Sequence, residues 1–393
     1  MQAVGLRCII CHTMYPLDPL YECDKCHGIL EVYYDFSKAK DPFALLPITS
    51  KKRISLDEGA TGLLLAKNLS KRLGLKTLLL KCEFTNPTGS FKDRPVSIGI
   101  SKALEFGFQK VIAASSGNGA ASVAAYSACA GLEAIILVPD TTPVEKVKQT
   151  LAYGASVVRV TGPYSNCFSL AKEIGEKLNI FNLTTTFLNP YTVEGDKVVA
   201  HELFKQLNGS IPDVIYVPIG AGPLLVGIYK GFQECQQFHP FEKLPRMAGI
   251  QAEGNNPIAS AFLHGKSVVC SEPNPRTIAG GIADGLVGYE KDGTYTLQIV
   301  KQSNGFVIDV ADSNILEAQM WLLRDEGLFV EPSAAAGIAG LARSLKDNRI
   351  HKDDNVVVIL TGHGLKDMGS VNIVGDVPLI QNNLDEFIKI FNK

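Results

Sequence analysis

Short apolar runs alternate with amphipathic stretches from about residue 75 onward. We expect strands at runs such as LKTLLLKCE, QKVIAASSG, EAIILVP, DVIYVPIG and NVVVILTG, and helices at stretches such as RPVSIGISKALEFG, NGAASVAAYSACAG and PLLVGIYKGFQE. Short buried strands separated by helices are typical of parallel sheets that carry helices on both faces. The pattern therefore predicts an α/β fold, and the glycines that cluster at strand ends indicate a ligand site along that edge.

The N-terminal segment carries two closely spaced cysteine pairs, Cys8 with Cys11 and Cys23 with Cys26. This is the spacing of a zinc ribbon, in which two tight turns offer four thiolates to one tetrahedral ion. We expect a structural zinc ion, because four thiolates leave no open coordination position. The alternative is a pair of cysteine turns that pack without a metal. The other five of the nine cysteines are scattered singly and are expected to be small core residues in a reducing compartment.

The composition is that of a soluble globular protein. The chain has 393 residues, of which 46% are hydrophobic and 20% charged, and its formal net charge is -2. This length exceeds one average domain, and the charge provides no basic field for nucleic acid. No apolar run approaches the length of a membrane helix, and the start lacks a secretory signal. We therefore expect a cytoplasmic protein without nucleic-acid or membrane partners.

A candidate reactive lysine lies in the stretch KCEFTNPTGSFKDRP at residues 81–95. A turn with proline and glycine precedes a helix, and Lys92 is at the start of that helix with Arg94 close by. The positive end of the helix dipole and the neighbouring cation should lower the pKa of the amine and favour the neutral nucleophile. From the residues alone Lys92 is only a candidate, because most lysines at helix starts are solvated.

The uninterrupted run from Asn86 to Arg94 resembles the cofactor-lysine segment of fold-type-II pyridoxal-phosphate enzymes, and in particular that of threonine synthases. The resemblance implies that Lys92 is both the catalytic lysine and the one that binds pyridoxal 5'-phosphate covalently. It also implies a zinc-ribbon-like segment at residues 1–35, followed by two α/β domains with parallel sheets flanked by helices. The large cofactor-binding domain would comprise residues 36–90 and 200–393, and a smaller mobile domain residues 91–199. Relatives are commonly homodimers.

The stretch ASSGNGAAS at residues 114–122 offers free backbone amides to an anion at the start of an alanine-rich helix. A substrate carboxylate is the expected guest. By resemblance Asn118 would bind the hydroxyl group of the cofactor ring. The residues expected to contact the substrate are Ser115, Ser116, Gly117, Gly119 and Ala120.

Two further segments resemble cofactor-binding parts of the same family. VPIGAGPLLVG, residues 217–227, is a strand that leads into a glycine turn and a helix, which suits a phosphate group. VILTGHGLKD contains a Thr-Gly-His-Gly sequence, in which Thr361 would place its hydroxyl at the pyridine nitrogen. The phosphate cup would consist of Gly220, Ala221, Gly222, Pro223 and Leu224.

Three positions depart from the usual threonine synthase pattern. The family usually has Arg at the position of Thr192, Gln at that of Asp196 and Thr at that of Gly119. Loss of an arginine removes a bidentate clamp for a substrate phosphate, and an added carboxylate would repel it. These changes concern the substrate, since the cofactor residues are retained.

The resemblance implies a lyase that converts O-phosphohomoserine and water to threonine and phosphate, so a small O-phosphorylated amino acid is the expected substrate. One alternative keeps the cofactor and changes the substrate, as in a cysteate synthase acting on O-phosphoserine or in a threonine/serine dehydratase. Another is a non-catalytic relative that binds the cofactor or a metabolite. The retained Lys92, Asn118 and Thr361 disfavour this last alternative.

Overall fold

The computed structural model describes residues 3–42, 45–49, 52–370 and 377–391. The strands are β1 (Ala3–Cys8), β2 (Met14–Tyr15), β3 (Leu30–Tyr34), β4 (Leu63–Leu65), β5 (Thr77–Lys81), β6 (Lys110–Ala114), β7 (Glu133–Pro139), β8 (Ser156–Val160), β9 (Phe181–Asn182), β10 (Val214–Pro218), β11 (Arg246–Ala252), β12 (Phe306–Val310) and β13 (Asn355–Ile359). The α-helices are α1 (Lys67–Leu73), α2 (Asp93–Glu105), α3 (Asn118–Ala130), α4 (Val144–Ala152), α5 (Tyr164–Leu178), α6 (Val193–Asp196), α7 (Val198–Gln206), α8 (Pro223–Phe238), α9 (Pro257–Leu263), α10 (Glu290–Gln302), α11 (Asp312–Glu326), α12 (Pro332–Lys346) and α13 (Leu384–Phe391).

The described strands form three sheets. A small antiparallel sheet, in the order β2-β1-β3, belongs to the cysteine-rich N-terminal segment. A six-stranded sheet has the order β12-β11-β10-β13-β5-β4, and a four-stranded sheet the order β8-β7-β6-β9. Neighbouring strands in these two sheets run parallel, except that the edge strand β4 is antiparallel to β5. The predicted α/β fold with parallel sheets flanked by helices is therefore confirmed.

Strand β10 shows why the central strands are continuous runs of apolar residues in the sequence. All of its residues are buried, because helices cover both faces of the large sheet. Ile215 and Val217 point into a core that includes residues of α8, whereas Val214 and Tyr216 point into a second core with α12. Alternate residues of one strand thus fill two different cores, as the two-residue repeat of a strand requires.

A buried ion network holds the start of α2 against strand β5 and helix α7. The Arg94 guanidinium donates to Glu83 through Nε at 2.6 Å and Nη2 at 2.8 Å, and to Glu202 through Nη1 at 2.7 Å. Lys81 Nζ also donates to Glu202 at 2.8 Å. Two cations and two carboxylates balance in charge, which offsets the cost of removing them from water. The network therefore anchors the helix whose first turn follows Lys92.

A second buried ion network joins the cysteine-rich segment to the rest of the chain. The Tyr34 hydroxyl at the end of β3 donates to Glu194 on α6 at 2.6 Å. Glu194 also pairs with Lys197 and with Lys230, each at 2.6 Å. Lys230 Nζ donates further to the backbone carbonyl of Val32 at 3.0 Å. The segment is thus bound to α6 and α8 through groups that burial makes costly to separate.

No helix in the described part of the chain has both the length and the apolar character that crossing a membrane would demand.

We expect Glu202→Gln to destabilise the protein at neutral pH by about 3 kcal/mol, because it leaves the two buried cations Lys81 and Arg94 with only one carboxylate, Glu83. Arg94 lowers the pKa of Glu202 to about 2, whereas the ordinary value is 4.5. The stabilisation from ionised Glu202 is therefore complete above pH 4.5 and is lost as the pH falls towards 2. Denaturant unfolding at a series of pH values should show the two proteins converging over this acidic range.

The matched control is Glu173→Gln, which removes an exposed carboxylate paired with Lys177 within helix α5. It should leave the unfolding midpoint almost unchanged, since exposed pairs contribute little. Equal stability of wild type and Glu202→Gln at neutral pH would show that the network does not stabilise the fold.

Candidate active site

A cleft of about 910 Å³ opens where strands of the two parallel sheets end. The segments that follow β6, β7, β9, β10 and β13 all contribute to its lining. This is the edge at which open α/β sheets bind ligands. The predicted site residues that line it are Lys92, Ser115, Ser116, Gly117, Asn118, Gly119, Gly220, Ala221, Gly222, Pro223, Leu224 and Thr361.

Ala120 is the one predicted substrate residue that does not line the cleft. Its side chain is fully buried in the core beneath helix α3, because the second residue after Asn118 lies on a different face of the helix. Its backbone N–H donates to Ser115 Oγ at 3.1 Å. Ala120 therefore supports the loop from below rather than facing the cleft.

Lys92 immediately precedes α2 and projects into the cleft. Its Nζ donates to Thr185 Oγ1 at 2.7 Å and to the Thr185 carbonyl oxygen at 3.2 Å. Burial lowers the pKa of the Lys92 amine, which is the direction that the sequence predicted. The expected contribution from Arg94 was wrong, because that guanidinium turns away to Glu83 and Glu202. Desolvation is thus the main cause of the lowered pKa.

Asn118 and Glu331 form one wall of the cleft. Asn118 is the first residue of α3, and its Nδ2 donates to Glu331 Oε1 at 2.9 Å. Burial raises the pKa of Glu331 to about 7. A side chain at Gly362 would bring its Cβ within 2.5 Å of the Glu331 carboxylate. Glycine at this position therefore lets the loop after β13 pack directly onto Glu331.

The loop between β6 and α3 is held by the Ser115 hydroxyl, which accepts from Ala120 and more weakly from Gly117 at 3.5 Å. A Cβ atom at Gly119 would lie 3.0 Å from Ser115 Oγ and 3.2 Å from Thr185 Oγ1. The absence of a side chain at 119 thus leaves room for the Thr185 hydroxyl that holds Lys92.

The glycine turn before α8 forms a cradle of backbone groups. Gly222 has a φ of +98°, which favours glycine, and a Cβ there would lie 2.4 Å from the Thr296 side chain. No side chain caps the N-terminus of α8, so its first amides are available to a ligand. Pro223 occupies the first helical position and has no N–H to donate. The neighbouring amides, including that of Leu224, are therefore the candidates for binding an anion.

Thr361 follows β13, the strand that pairs with β10 and so lies next to the strand that leads into the glycine turn. It is buried, and its carbonyl oxygen accepts from the Phe91 N–H at 3.0 Å, which joins this loop to the Lys92 segment. His363 Nδ1 accepts from the Leu365 N–H at 3.1 Å. His363 thus helps to fix the loop that follows Thr361.

Several residues of the cleft were missed by sequence reasoning, because none of them had a role assigned to it, even where a neighbouring residue did. Thr185 comes from the segment after β9. Asp284 faces the glycine turn, since a Cβ atom added at Gly220 would lie 2.9 Å from the Cβ atom of Asp284. Lys146 on α4 and Lys366 after β13 add two cations to the rim. Their only sequence signal was their position on segments near strand ends.

Thr192 and Asp196 do not line the cleft. Thr192 is buried, and its hydroxyl donates to the Asn189 carbonyl oxygen at 2.8 Å. Asp196 is buried on α6. Neither position can contact a ligand in the cleft directly in this arrangement.

These features fit pyridoxal phosphate. A desolvated amine suits covalent attachment to an aldehyde. The uncapped start of α8, together with a turn in which a Cβ at 222 would collide with Thr296, forms a cradle for a phosphate group. Both lie in one cleft with Asn118 and Thr361.

The four N-terminal cysteines fit a metal ion. Their Sγ atoms all lie within 4.8 Å of one another. Cys8 and Cys26 are 3.5 Å apart at sulfur, as are Cys11 and Cys23. Sulfur atoms around a tetrahedral ion at about 2.3 Å are separated by about 3.8 Å. The cluster can therefore hold one metal ion.

Residues 54–362 match the family model described as pyridoxal-phosphate dependent enzyme. The chain is 37% identical over 391 residues to a threonine synthase from Methanocaldococcus jannaschii, with 95% of each chain covered. It is 37% identical over 397 residues to a threonine synthase from Methanosarcina acetivorans, with 97% of this chain and 96% of the relative covered.

Solved structures with the same fold include maize serine racemase, with a TM-score of 0.69 at 25% identity over 82% of this chain and 93% of that one. Threonine deaminase isoform 2 from Solanum lycopersicum has a TM-score of 0.65 at 27% identity over 77% of this chain and 79% of that one. The family match and the extended similarity to threonine synthases agree with the cleft geometry. The chain belongs to the threonine synthase family of pyridoxal-phosphate-dependent enzymes.

Proposed function

We propose that this enzyme is a threonine synthase that converts O-phosphohomoserine and water to threonine and phosphate. The observation that carries the proposal is the buried Lys92 amine, which shares one cleft with the glycine turn before α8 and with cations on the rim. The similarity to threonine synthases over nearly the whole chain supports the same conclusion. The class of reaction is that of a pyridoxal-phosphate-dependent lyase.

Each cofactor contact has a residue suited to it. Lys92 would hold the cofactor covalently, Asn118 would donate to its ring hydroxyl, and the Thr361 hydroxyl would meet the ring nitrogen. The amides of the Gly220–Gly222 turn and Leu224 would bind its phosphate, assisted by the dipole of α8. When bound, the cofactor withdraws electrons from the substrate carbons next to the amino group.

The protein groups would position the substrate and move its protons. The loop from Ser115 to Gly119, at the start of α3, would bind the substrate carboxylate with backbone amides. Once the substrate amine has displaced it, the Lys92 amine would take the proton from Cα and then serve proton transfer at Cβ. Its contact with Thr185 keeps this amine in the cleft rather than in solvent.

Two lysines on the rim of the cleft, Lys146 and Lys366, provide positive charge in place of the arginine that this chain lacks at position 192. Lys146 Nζ lies near Gly280, 3.4 Å from where a Cβ atom there would be, so its ammonium faces the cleft. Lys366 Nζ donates to the Thr88 carbonyl oxygen at 2.9 Å and to Gln149 Oε1 at 2.6 Å. Both cations are attracted to Glu331. We infer that they receive the substrate phosphate beside Asn118.

Purified enzyme loaded with cofactor should release threonine and phosphate in equal amounts from O-phosphohomoserine, and Lys92→Ala should abolish this turnover. The measurement is product analysis with O-phosphohomoserine, O-phosphoserine with and without sulfite, threonine and serine offered separately. Turnover of one of the other compounds, with none of O-phosphohomoserine, would contradict the proposed reaction and indicate a changed substrate.

Lys146→Ala should raise KM for O-phosphohomoserine about tenfold with a smaller effect on kcat, because a charge-assisted hydrogen bond contributes on the order of 1.5 kcal/mol. Steady-state kinetics give both constants. Lys177→Ala, at an exposed lysine on α5, is the matched control and should leave them unchanged. An unchanged KM in Lys146→Ala would place the phosphate site elsewhere.

We propose zinc as the metal of the four-cysteine cluster. Elemental analysis should give about one zinc ion per chain. Cys26→Ser should lose the ion and lower the temperature of unfolding, whereas Cys129→Ser, at an exposed cysteine outside the cluster, should do neither. A metal-free protein that is as stable as the wild type would support packing of the cysteines without a metal.

We also infer the domain division at residues 1–35, at 36–90 plus 200–393, and at 91–199. The separation of the two parallel sheets supports it, and closure of the smaller unit would exclude water from the cleft. A cytoplasmic homodimer is the assembly we propose by analogy with relatives. Light scattering of the purified protein would determine the number of chains.

A further inference from the structure

One buried carboxyl group close to Lys92 takes no part in the ion networks. Asp196 is only 2% exposed, and its Oδ1 has no hydrogen-bond partner in the described residues. Glu83 and Glu202 pair with Arg94, and Glu194 pairs with Lys197. An unpartnered buried carboxylate is costly unless a nearby charge compensates it.

Close backbone packing determines where Asp196 lies. A Cβ atom at Gly195 would come within 2.1 Å of the Arg94 carbonyl oxygen. A Cβ atom at Gly227 would come within 2.7 Å of Asp196 Cβ. Helix α6 is therefore wedged between the first turn of α2 and the second turn of α8. Lys92 immediately precedes that turn of α2, so the backbone segments that carry Lys92 and Asp196 are held against each other.

Among the charged groups that face Asp196, Lys92 is its main counter-ion. From the start of α2 and the segments that precede it these are Lys92, Arg94 and Glu83. The Arg94 charge is already balanced by Glu83 and Glu202. Burial raises the pKa of Asp196 to about 7, and the Lys92 cation opposes this rise.

The remaining neighbours are charges that compensate one another. On the same stretch as Asp196, Glu194 and Lys197 pair at 2.6 Å, and from α8 Lys230 and Glu234 complete that network. They add little net field at Asp196. On the other side, Lys92 also faces Asp284, which accepts a hydrogen bond from the Leu286 N–H at 3.1 Å and another from the Tyr289 hydroxyl.

We propose that Asp196 is a positioning residue that controls the charge of Lys92 from outside the cleft. An ionised Asp196 keeps the free Lys92 amine protonated, the form that can donate a proton. Loss of the Asp196 charge leaves the neutral amine, the form that attacks or accepts a proton. Because Asp196 does not line the cleft, the substrate does not displace it.

The test is the pKa of Lys92 in the full-length chain freed of its cofactor. Competitive labelling with trace acetic anhydride across a pH series, read by peptide mass spectrometry, gives the pKa of an individual amine. In Asp196→Asn the pKa of Lys92 should fall by about one pH unit or more, because an opposite charge nearby favours the ammonium form. Asp196→Glu, which keeps the carboxylate, should retain most of the wild-type value.

Asp292→Asn is the matched control. Burial raises the pKa of Asp292 to about 7 as well, but its Oδ2 accepts from the Phe187 N–H, and the charges that act on it are those of Lys291 and Asp284, not that of Lys92. Its removal should not move the pKa of Lys92. The proposal would be overturned if the pKa of Lys92 were unchanged in Asp196→Asn, or if it fell equally in Asp292→Asn.

If Asp196→Asn does not fold, Lys92→Met provides the reciprocal measurement. Removing the lysine charge should keep Asp196 protonated to higher pH, visible as a protonated-carboxyl infrared band that persists there and is absent from the wild type. If Lys92→Met and the wild type show the same infrared band over this pH range, the coupling of Asp196 to Lys92 is contradicted. Although the proposal rests on Lys92 as the reactive lysine, both measurements are made without substrate, so failure of the threonine synthase reaction would leave their outcome readable.

Discussion

The ion pairs of Arg94 with Glu83 and Glu202 are the constraint on which the catalytic arrangement depends. They fix the first turn of α2 against β5 and α7, and Lys92 immediately precedes that turn. A buried guanidinium needs several well-placed acceptors, so few other arrangements satisfy it. The same arginine that seemed positioned to lower the pKa of Lys92 instead fixes where Lys92 lies.

Glycines complete the site by allowing backbone and side chains to approach closely. Gly195 and Gly227 clamp α6, which carries Asp196, while Gly362 lets the Thr361 loop pack onto Glu331. The result is a cleft in which Lys92 is poorly solvated, with the buried carboxyl group of Asp196 close behind its lining. In such a setting the charge of one group strongly affects the next, which is why Lys92 and Asp196 are coupled.

Resemblance to a known family, together with the glycine turns at strand ends, predicted Lys92, Asn118, the turn before α8 and Thr361 as site residues, and all of them line one cleft. Sequence reasoning placed Ala120 in the site as well, but helix geometry turns that residue into the core. It assigned the wrong role to Arg94, because its partners come from segments distant in the chain. Thr185, Lys146 and Asp284 were missed for the same reason.

The sequence by itself determined the alternation of strands and helices, the parallel sheets and the segments that end at the cleft, since these depend on periodicity and local turns. It also determined the cysteine cluster. Only the tertiary structure decided which carboxylates face Lys92, that Thr192 and Asp196 lie outside the cleft, and that Lys146 reaches it. Burial and charge at a given atom depend on neighbours from many segments, and their packing is not encoded in any local pattern.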